Sequence, residues 1–319
     1  MSQSFQLKPA SYSLAKEFNV QVDPRAVITG YEPGHHAVPP KDDGYVFNRG
    51  RLRDMLAFWE AGLIGLKLQG DPSTGKSSLP EQFHARLNWP LYKVSCTPTT
   101  EAYQLLGQLV PGLDGRLAWT DGPVLRAARE GSSVLLDEGN VMEPGQATSM
   151  NLLLDGYCIT IPETGEIVTP KPGFRVFWTE NPVDSRLVVA GRNVQDAPFE
   201  DRWMVMSVDY LPADEEIRVV KNALLKVGTD PNKAELTAKL VVGVANQTRQ
   251  AYRNRDKVIV SPMSTRSAIR WAKLIRRFQN VKAEEGGPTI YALRRGVSMS
   301  PEQRDAVEEY TRAAVGTAP

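Results

Sequence analysis

The sequence predicts an α/β fold: a parallel sheet between layers of helices, followed by a smaller helical domain. Three observations predict it. A short, largely apolar run, Gly65–Gln69, ends in Gly70-Asp71-Pro72-Ser73-Thr74-Gly75-Lys76-Ser77, which reads G-x-x-x-x-G-K-[ST], a phosphate-binding loop. A second apolar run, Ser133-Val134-Leu135-Leu136, ends directly in Asp137-Glu138. Beyond Ala213 the chain is rich in helical apolar spacing.

The loop chemistry depends on this spacing. Backbone N–H groups of residues 70–78 must wrap a polyphosphate, and a Cβ at the glycine positions would block close approach. Lys76 then reaches the terminal phosphates, and the Ser77 hydroxyl reaches Mg²⁺. The helix expected over residues 76–87 points its positive end at the anion. Asp137, at the carboxyl end of a buried strand, is placed to hold the water shell of Mg²⁺. Glu138 is placed to polarise the water that attacks a γ-phosphate. A strand ending in a solvated acidic turn would look the same in isolation.

Composition sets the outer bounds. The 319 residues suffice for one large or two modest domains, and 41% apolar with 24% charged content is ordinary for a globular protein. With 38 basic and 37 acidic residues the net charge is +1, which gives no global attraction to nucleic acid or anionic membrane. Cys96 and Cys158 lack metal spacing and read as reduced, packed residues of a cytoplasmic protein. No apolar run approaches a membrane span, and the N-terminus lacks a basic-then-apolar signal pattern.

The elements follow in order. Residues 1–48 read as an extension broken by Pro9, Pro24, Pro33, Pro39 and Pro40, with a short strand at residues 26–29. Its prolines and aromatics suit extended packing against a neighbouring copy of the chain. Residues 48–61 read as a helix with Leu52, Met55, Leu56 and Trp59 on one face. The phosphate-binding unit follows, then a strand at residues 89–95. Thr99-Thr100-Glu101 can cap a short helix, and residues 110–120 suit a small hairpin. A helix at residues 124–129 leads into the acidic strand. Residues 146–154 read as one amphipathic helix, and residues 157–161 and 166–169 as a hairpin turning at Gly165. The strand at residues 174–178 runs into Thr179-Glu180-Asn181-Pro182, where Asn181 can orient a water, although an asparagine before proline also starts ordinary turns. A glycine-containing loop, residues 183–193, leads to Asp201-Arg202-Trp203 and a strand at residues 204–208. Helices are expected at residues 214–227, 233–253, 264–277 and 301–315, with Ser264 as an N-cap. The basic stretch from Arg249 to Lys257 and the Arg294-Arg295 pair read as solvated surface.

Taken together, these motifs resemble the MoxR-like group of AAA+ ATPases. The segments FEDRW, VDYLP and MSTRSAIRWA resemble the CobS-type cobaltochelatase subunit and the CbbQ/NorQ-type activators. The resemblance covers roughly residues 48–282. It implies a three-layer αβα core at residues 49–212 and a helical lid domain at residues 213–319, after an N-terminal extension at residues 1–48. It implies ATP and Mg²⁺ as ligands of Gly70, Asp71, Pro72, Ser73, Thr74, Gly75, Lys76, Ser77 and Ser78, with Ser77 and Asp137 on the metal. Glu138 matches the water-activating acid, Asn181 the residue that senses the γ-phosphate, and Arg266 the arginine of the lid. Arg202 matches an arginine that reaches a neighbouring subunit's nucleotide, with Arg192 as a competitor for that role. The family often has Ile or Ala where this chain has Gly139.

The resemblance also implies a homo-oligomeric ring, a hexamer, that remodels or activates a client or adaptor protein. One such partner class carries a von Willebrand factor A domain, and metal insertion is one such task. The rival reading is a ring that translocates nucleic acid through basic hairpins. The hairpin at residues 110–120 holds Arg116 against Asp114, and residues 159–169 hold Glu163 and Glu166 with no basic residue, which argues against phosphate tracking. A scaffold that binds ATP without turnover would not need the full set Lys76, Asp137, Glu138, Asn181 and Arg202. A small-molecule kinase would not need the helical domain.

Overall fold

The computed structural model describes residues 6–112, 115–181 and 193–316. Cα packing divides them into two compact units. The first holds residues 6–42, Arg49–Asp71 and the described part of Gly75–Asp209; the second holds Asp43–Asn48, Pro72–Thr74 and the described residues from Tyr210 onward.

The first unit opens with β1 (Pro9–Ser13), α1 (Leu14–Phe18) and β2 (Val27–Tyr31), the two strands pairing antiparallel. This hairpin packs on its own chain: Phe18 stacks on Phe83 at 5.2 Å and Tyr31 meets Trp89 at 4.3 Å. Phe18 and Tyr31 therefore face the chain's own core rather than a neighbouring copy. A Cβ on Gly30 would lie 2.2 Å from the Leu87 carbonyl oxygen, so glycine is what allows the approach.

The core follows as α2 (Arg49–Glu60), β3 (Gly65–Gln69), α3 (Ser78–Leu87), β4 (Leu91–Ser95), α4 (Ala102–Leu106), β5 (Gly107–Pro111), β6 (Leu117–Asp121), α5 (Pro123–Glu130) and β7 (Ser133–Asp137). It continues through α6 (Pro144–Ala147), α7 (Asn151–Leu154), β8 (Ile159–Thr160), β9 (Ile167–Val168), β10 (Arg175–Glu180), α8 (Ala197–Glu200) and β11 (Met204–Ser207). Five strands form one sheet in the order β11-β3-β10-β7-β4, every pair parallel. Parallel neighbours require crossover connections, and the helices supply them. Val134, Leu136, Val176 and Trp178 pack on one face with Val124, Leu125 and Ala128 of α5. On the other face Phe177 meets Phe58 of α2 and His84 of α3, at 5.6 and 5.0 Å. The result is the expected three-layer αβα arrangement.

Both expected hairpins form, as β5–β6 and β8–β9, although Asp114 lies outside the described residues. Glu101 caps α4 in a reciprocal box with Gln104. The single helix expected at residues 146–154 is instead broken into α6, a tight 3₁₀ turn at Thr148–Met150, and α7. The hydroxyls of Thr148 and Ser149 donate to the carbonyls of Gly145 and Gln146, three residues back, which favours the tighter turn.

The second unit is helical: α9 (Ala213–Leu225), α10 (Pro231–Arg253), α11 (Thr265–Arg277), α12 (Gly287–Gly296) and α13 (Pro301–Gly316). Its core gathers Val220, Leu224, Val241, Ala245, Trp271, Leu293 and Val307. Ser264 caps α11 as expected, accepting from the Ser267 N–H. Helix α12 was not legible in the sequence, where its Arg294-Arg295 pair stood out instead. The reading of Arg249 as solvated is overturned. Its side chain is 4% exposed and forms a two-pronged ion pair with Glu216, which is wholly buried.

Candidate functional site

The site gathers where the sheet strands end. Register aligns Glu180 with Gln69, Ser95 with Asp137, and Ser207 with Gln69, so β3, β4, β7, β10 and β11 all deliver residues to one edge. In a parallel sheet this carboxyl edge is where the loops can build a ligand site.

The loop after β3 bends through positive φ at Ser73 (60°) and Gly75 (96°). The Ser73 value is uncommon for a residue with a side chain and is tolerated where surrounding structure demands it. Lys76 is 7% exposed. Its ammonium donates to the carbonyls of Gly70 (2.9 Å) and Asp71 (2.6 Å) and to Asn181 Oδ1 (2.8 Å). These three acceptors are neutral oxygens at the mouth of the loop. Helix α3 starts at Ser78 rather than Lys76. Ser77 makes no side-chain cap because its hydroxyl donates to Asp137 Oδ1 at 2.5 Å. Ser78 Oγ donates to the Gly75 carbonyl at 3.1 Å.

Asp137 Oδ1 also accepts from Thr179 Oγ1 at 2.6 Å, and Thr179 Oγ1 accepts from the Glu138 N–H at 2.9 Å. Thr179 therefore fixes the Asp137 carboxylate and the Glu138 backbone, a role the sequence reading missed. Its position beside Glu180-Asn181 on a buried strand was the available signal. Glu138 is exposed and held at φ 58°, ψ 40°, a left-handed conformation that costs a non-glycine residue about 1 kcal/mol. Asn140 was missed as well: its Nδ2 donates to the Asn181 carbonyl at 3.0 Å. Burial, and then the nearby Asp137 and Glu138 charges, push the Cys96 thiol up to about 12, so it stays a neutral packing group. Cys158, expected to be packed, is exposed.

Lys76, Ser77, Asp137, Glu138 and Asn181 are thus brought together. Arg202 is engaged by Asp155, donating from Nε and Nη2 at 2.9–3.0 Å. Arg266 is exposed in the first turn of α11, within the helical unit. Arg192 lies outside the described residues. A serine hydroxyl beside a carboxylate is a hard-oxygen donor set, which fits Mg²⁺, an ion that takes few protein ligands and keeps water and phosphate around it.

Residues 65–203 match the family described as AAA domain (dynein-related subfamily), and residues 225–314 match the CbbQ/NirQ/NorQ C-terminal family. The denitrification regulatory protein NirQ of Stutzerimonas stutzeri is 31% identical over 221 residues, spanning 68% of this chain and 74% of that one. The chain is a MoxR-like AAA+ ATPase of the CbbQ/NirQ/NorQ type. The aerobic cobaltochelatase subunit CobS of a Sinorhizobium species is 29% identical over 290 residues, 86% of this MoxR-like chain and 83% of CobS. Midasin of Giardia intestinalis is 29% identical over 209 residues, 64% of this chain but only 4% of midasin. An AAA domain implies nucleotide binding. Among the described residues of this family member, no helix is long and apolar enough to cross a membrane.

Proposed function

We propose that this MoxR-like protein hydrolyses ATP as one member of a homo-oligomeric ring, six-fold by analogy with its group, and uses turnover to remodel or activate a partner protein. The observation that carries the reading is the meeting of Lys76 with Asn181 and of Ser77 with Asp137 at one sheet edge. In this reading the backbone of residues 70–78 and the Lys76 ammonium bind the phosphates. Ser77 and Asp137 would hold Mg²⁺, which when bound would neutralise phosphate charge. Glu138 accepts a proton from water as the water oxygen bonds to the γ-phosphorus. The bond to the bridging oxygen breaks, and the electron pair leaves on ADP. Asn181 orients that water.

Arg202 completes the site of the neighbouring copy, supplying positive charge as the γ-phosphoryl group departs. Arg266 follows the nucleotide from the helical domain, residues 213–319, which acts as a lid over the core of residues 49–212. The partner is a protein rather than nucleic acid, because Arg116 is the one basic residue in the two hairpins, residues 107–121 and 157–169. The similarity to a cobaltochelatase subunit makes metal insertion a fitting task, and the family resemblance adds a von Willebrand factor A-domain protein as the adaptor.

The test is Glu138→Gln. It is expected to bind ATP normally and to turn over at least about a hundredfold more slowly. Normal hydrolysis by this variant would remove Glu138 from the reaction. Arg202→Ala should keep binding and lose turnover, and wild-type specific activity should rise with protein concentration as rings form. Full activity in Arg202→Ala would remove the ring-completed site. Affinity capture on the Glu138→Gln protein held with ATP identifies the partner.

A further inference from the structure

Lys67 is the one charged side chain in β3, and it is 0% exposed. A buried ammonium is retained only where other groups compensate its lost hydration. Here the compensation is unusually complete. Lys67 Nζ lies 2.6 Å from both carboxylate oxygens of Glu200 and 3.5 Å from Glu180 Oε2. The rings of Trp178, Phe199 and Trp203 surround it, with centroids at 5.6, 5.6 and 5.8 Å.

The three segments that meet on this ammonium are the ones the proposed reaction needs. Gly70 begins the phosphate-binding loop three residues after Lys67. Glu180 immediately precedes Asn181 and is itself fixed by Gln69 Nε2 (2.5 Å) and Trp178 Nε1 (2.9 Å). Glu200 ends α8, two residues before Arg202, with Phe199 and Trp203 on either side of that turn. Helix α8 has four residues and no intrinsic stability of its own. The Lys67–Glu200 pair and the aromatic packing around it hold its end, beside the bonds of Arg202 to the Pro198 carbonyl and to Asp155.

We propose that Lys67 is a positioning residue that aims Arg202 and ties its turn to the Asn181 strand tip. The claim rests on the reading of Arg202 as the arginine that completes the neighbour's site. One cation shared by two carboxylates links the strand that feels the chain's own nucleotide to the turn presented to the next copy. A purely structural ion pair would instead affect folding and nucleotide binding, without regard to Arg202.

A double-mutant cycle on the full-length ATPase separates these. Lys67→Met keeps the length of the side chain and leaves Glu200, whose side chain is 39% exposed, free to turn towards water. It is expected to bind a fluorescent ATP analogue within about threefold of wild type while kcat falls at least about tenfold. In the Arg202→Ala background the same substitution should lower kcat no further. Glu200→Gln preserves volume, should show the same non-additivity, and carries the test if Lys67→Met does not fold. Unchanged kcat in Glu200→Gln and Lys67→Met, or losses that multiply with Arg202→Ala, would overturn the inference alone. Full turnover in Arg202→Ala by itself would overturn the reading of Arg202, and this inference with it.

Discussion

Lys76 Nζ donates to Asn181 Oδ1 at 2.8 Å, so one hydrogen bond joins the loop after β3 to the tip of β10. The amide oxygen is a neutral acceptor that a phosphate can displace. Asn181→Ala is expected to keep ATP affinity and lose at least about tenfold in kcat. Asn181→Asp places a carboxylate against the ammonium and the γ-phosphate, and ATP affinity should fall by about tenfold or more. Titration with labelled ATP beside steady-state kinetics reads both; equal affinity in the two variants would show that Asn181 does not face the phosphate.

Gly139 and Trp178 compete for one volume. A Cβ at Gly139 would lie 2.4 Å from Trp178 Cδ2 and Cε2. That explains why this chain departs from the Ile or Ala expected after the acidic pair. Gly139→Ala should destabilise by about 1–3 kcal/mol. Combined with Trp178→Leu, the loss should be smaller than the two single losses added, by at least about 1 kcal/mol. Denaturant titrations of the three variants measure this, and strict additivity would count against the clash.

Glu216 and Arg249 are paired in the core of the helical unit, with oxygens and nitrogens 2.6 and 2.8 Å apart. Thr265 Oγ1 donates to Glu216 at 2.6 Å, Arg249 Nε donates to the Met263 carbonyl at 2.9 Å, and Tyr210 covers the guanidinium at 3.8 Å. Removing one partner strands the other charge. Glu216→Ala should therefore cost about 3–5 kcal/mol, whereas Glu216→Leu with Arg249→Met should recover much of that. Urea denaturation decides it; a mild loss for Glu216→Ala would mean that water reaches Arg249.

His84 is fully buried among Trp59, Phe83 and Phe177, its Nδ1 2.7 Å from the Pro80 carbonyl. Burial pushes it down from 6.5 to about 3. The unfolded chain binds this proton below about pH 6.5 and the folded chain does not, so stability is full above that value. It is lost as pH falls towards 3. Between pH 7 and pH 5 the wild type should lose about 2 kcal/mol more than His84→Leu. Melting curves at the two pH values provide the comparison, and a constant difference would place the folded-state His84 near its ordinary value.

Local signals were legible. The glycine spacing of the loop, the acids at the end of β7, the Ser264 cap and the apolar spacing of the helices depend on residues a few positions apart. Contacts between distant positions were not. Arg249 read as surface because its partner Glu216 lies 33 residues away and nothing near it in sequence is acidic on the same face. Thr179 passed unnoticed because its task, holding Asp137 and Glu138, exists only once β10 lies beside β7. Helix α12 was hidden because Gly286-Gly287-Pro288 reads as a break and only Pro288 at the first turn starts the helix.

By itself the sequence determined that this protein carries a phosphate-binding loop, an acidic strand tip and a helical second half, because those are short-range patterns of φ, charge and periodicity. Only the tertiary structure decided which side chains meet at the sheet edge. It also decided that Lys67, one apparently misplaced charge in an apolar strand, is held by Glu200 and Glu180. A buried charge is intelligible only with its partners in view, since their attraction and its lost hydration are both set by the packed environment and not by neighbours along the chain.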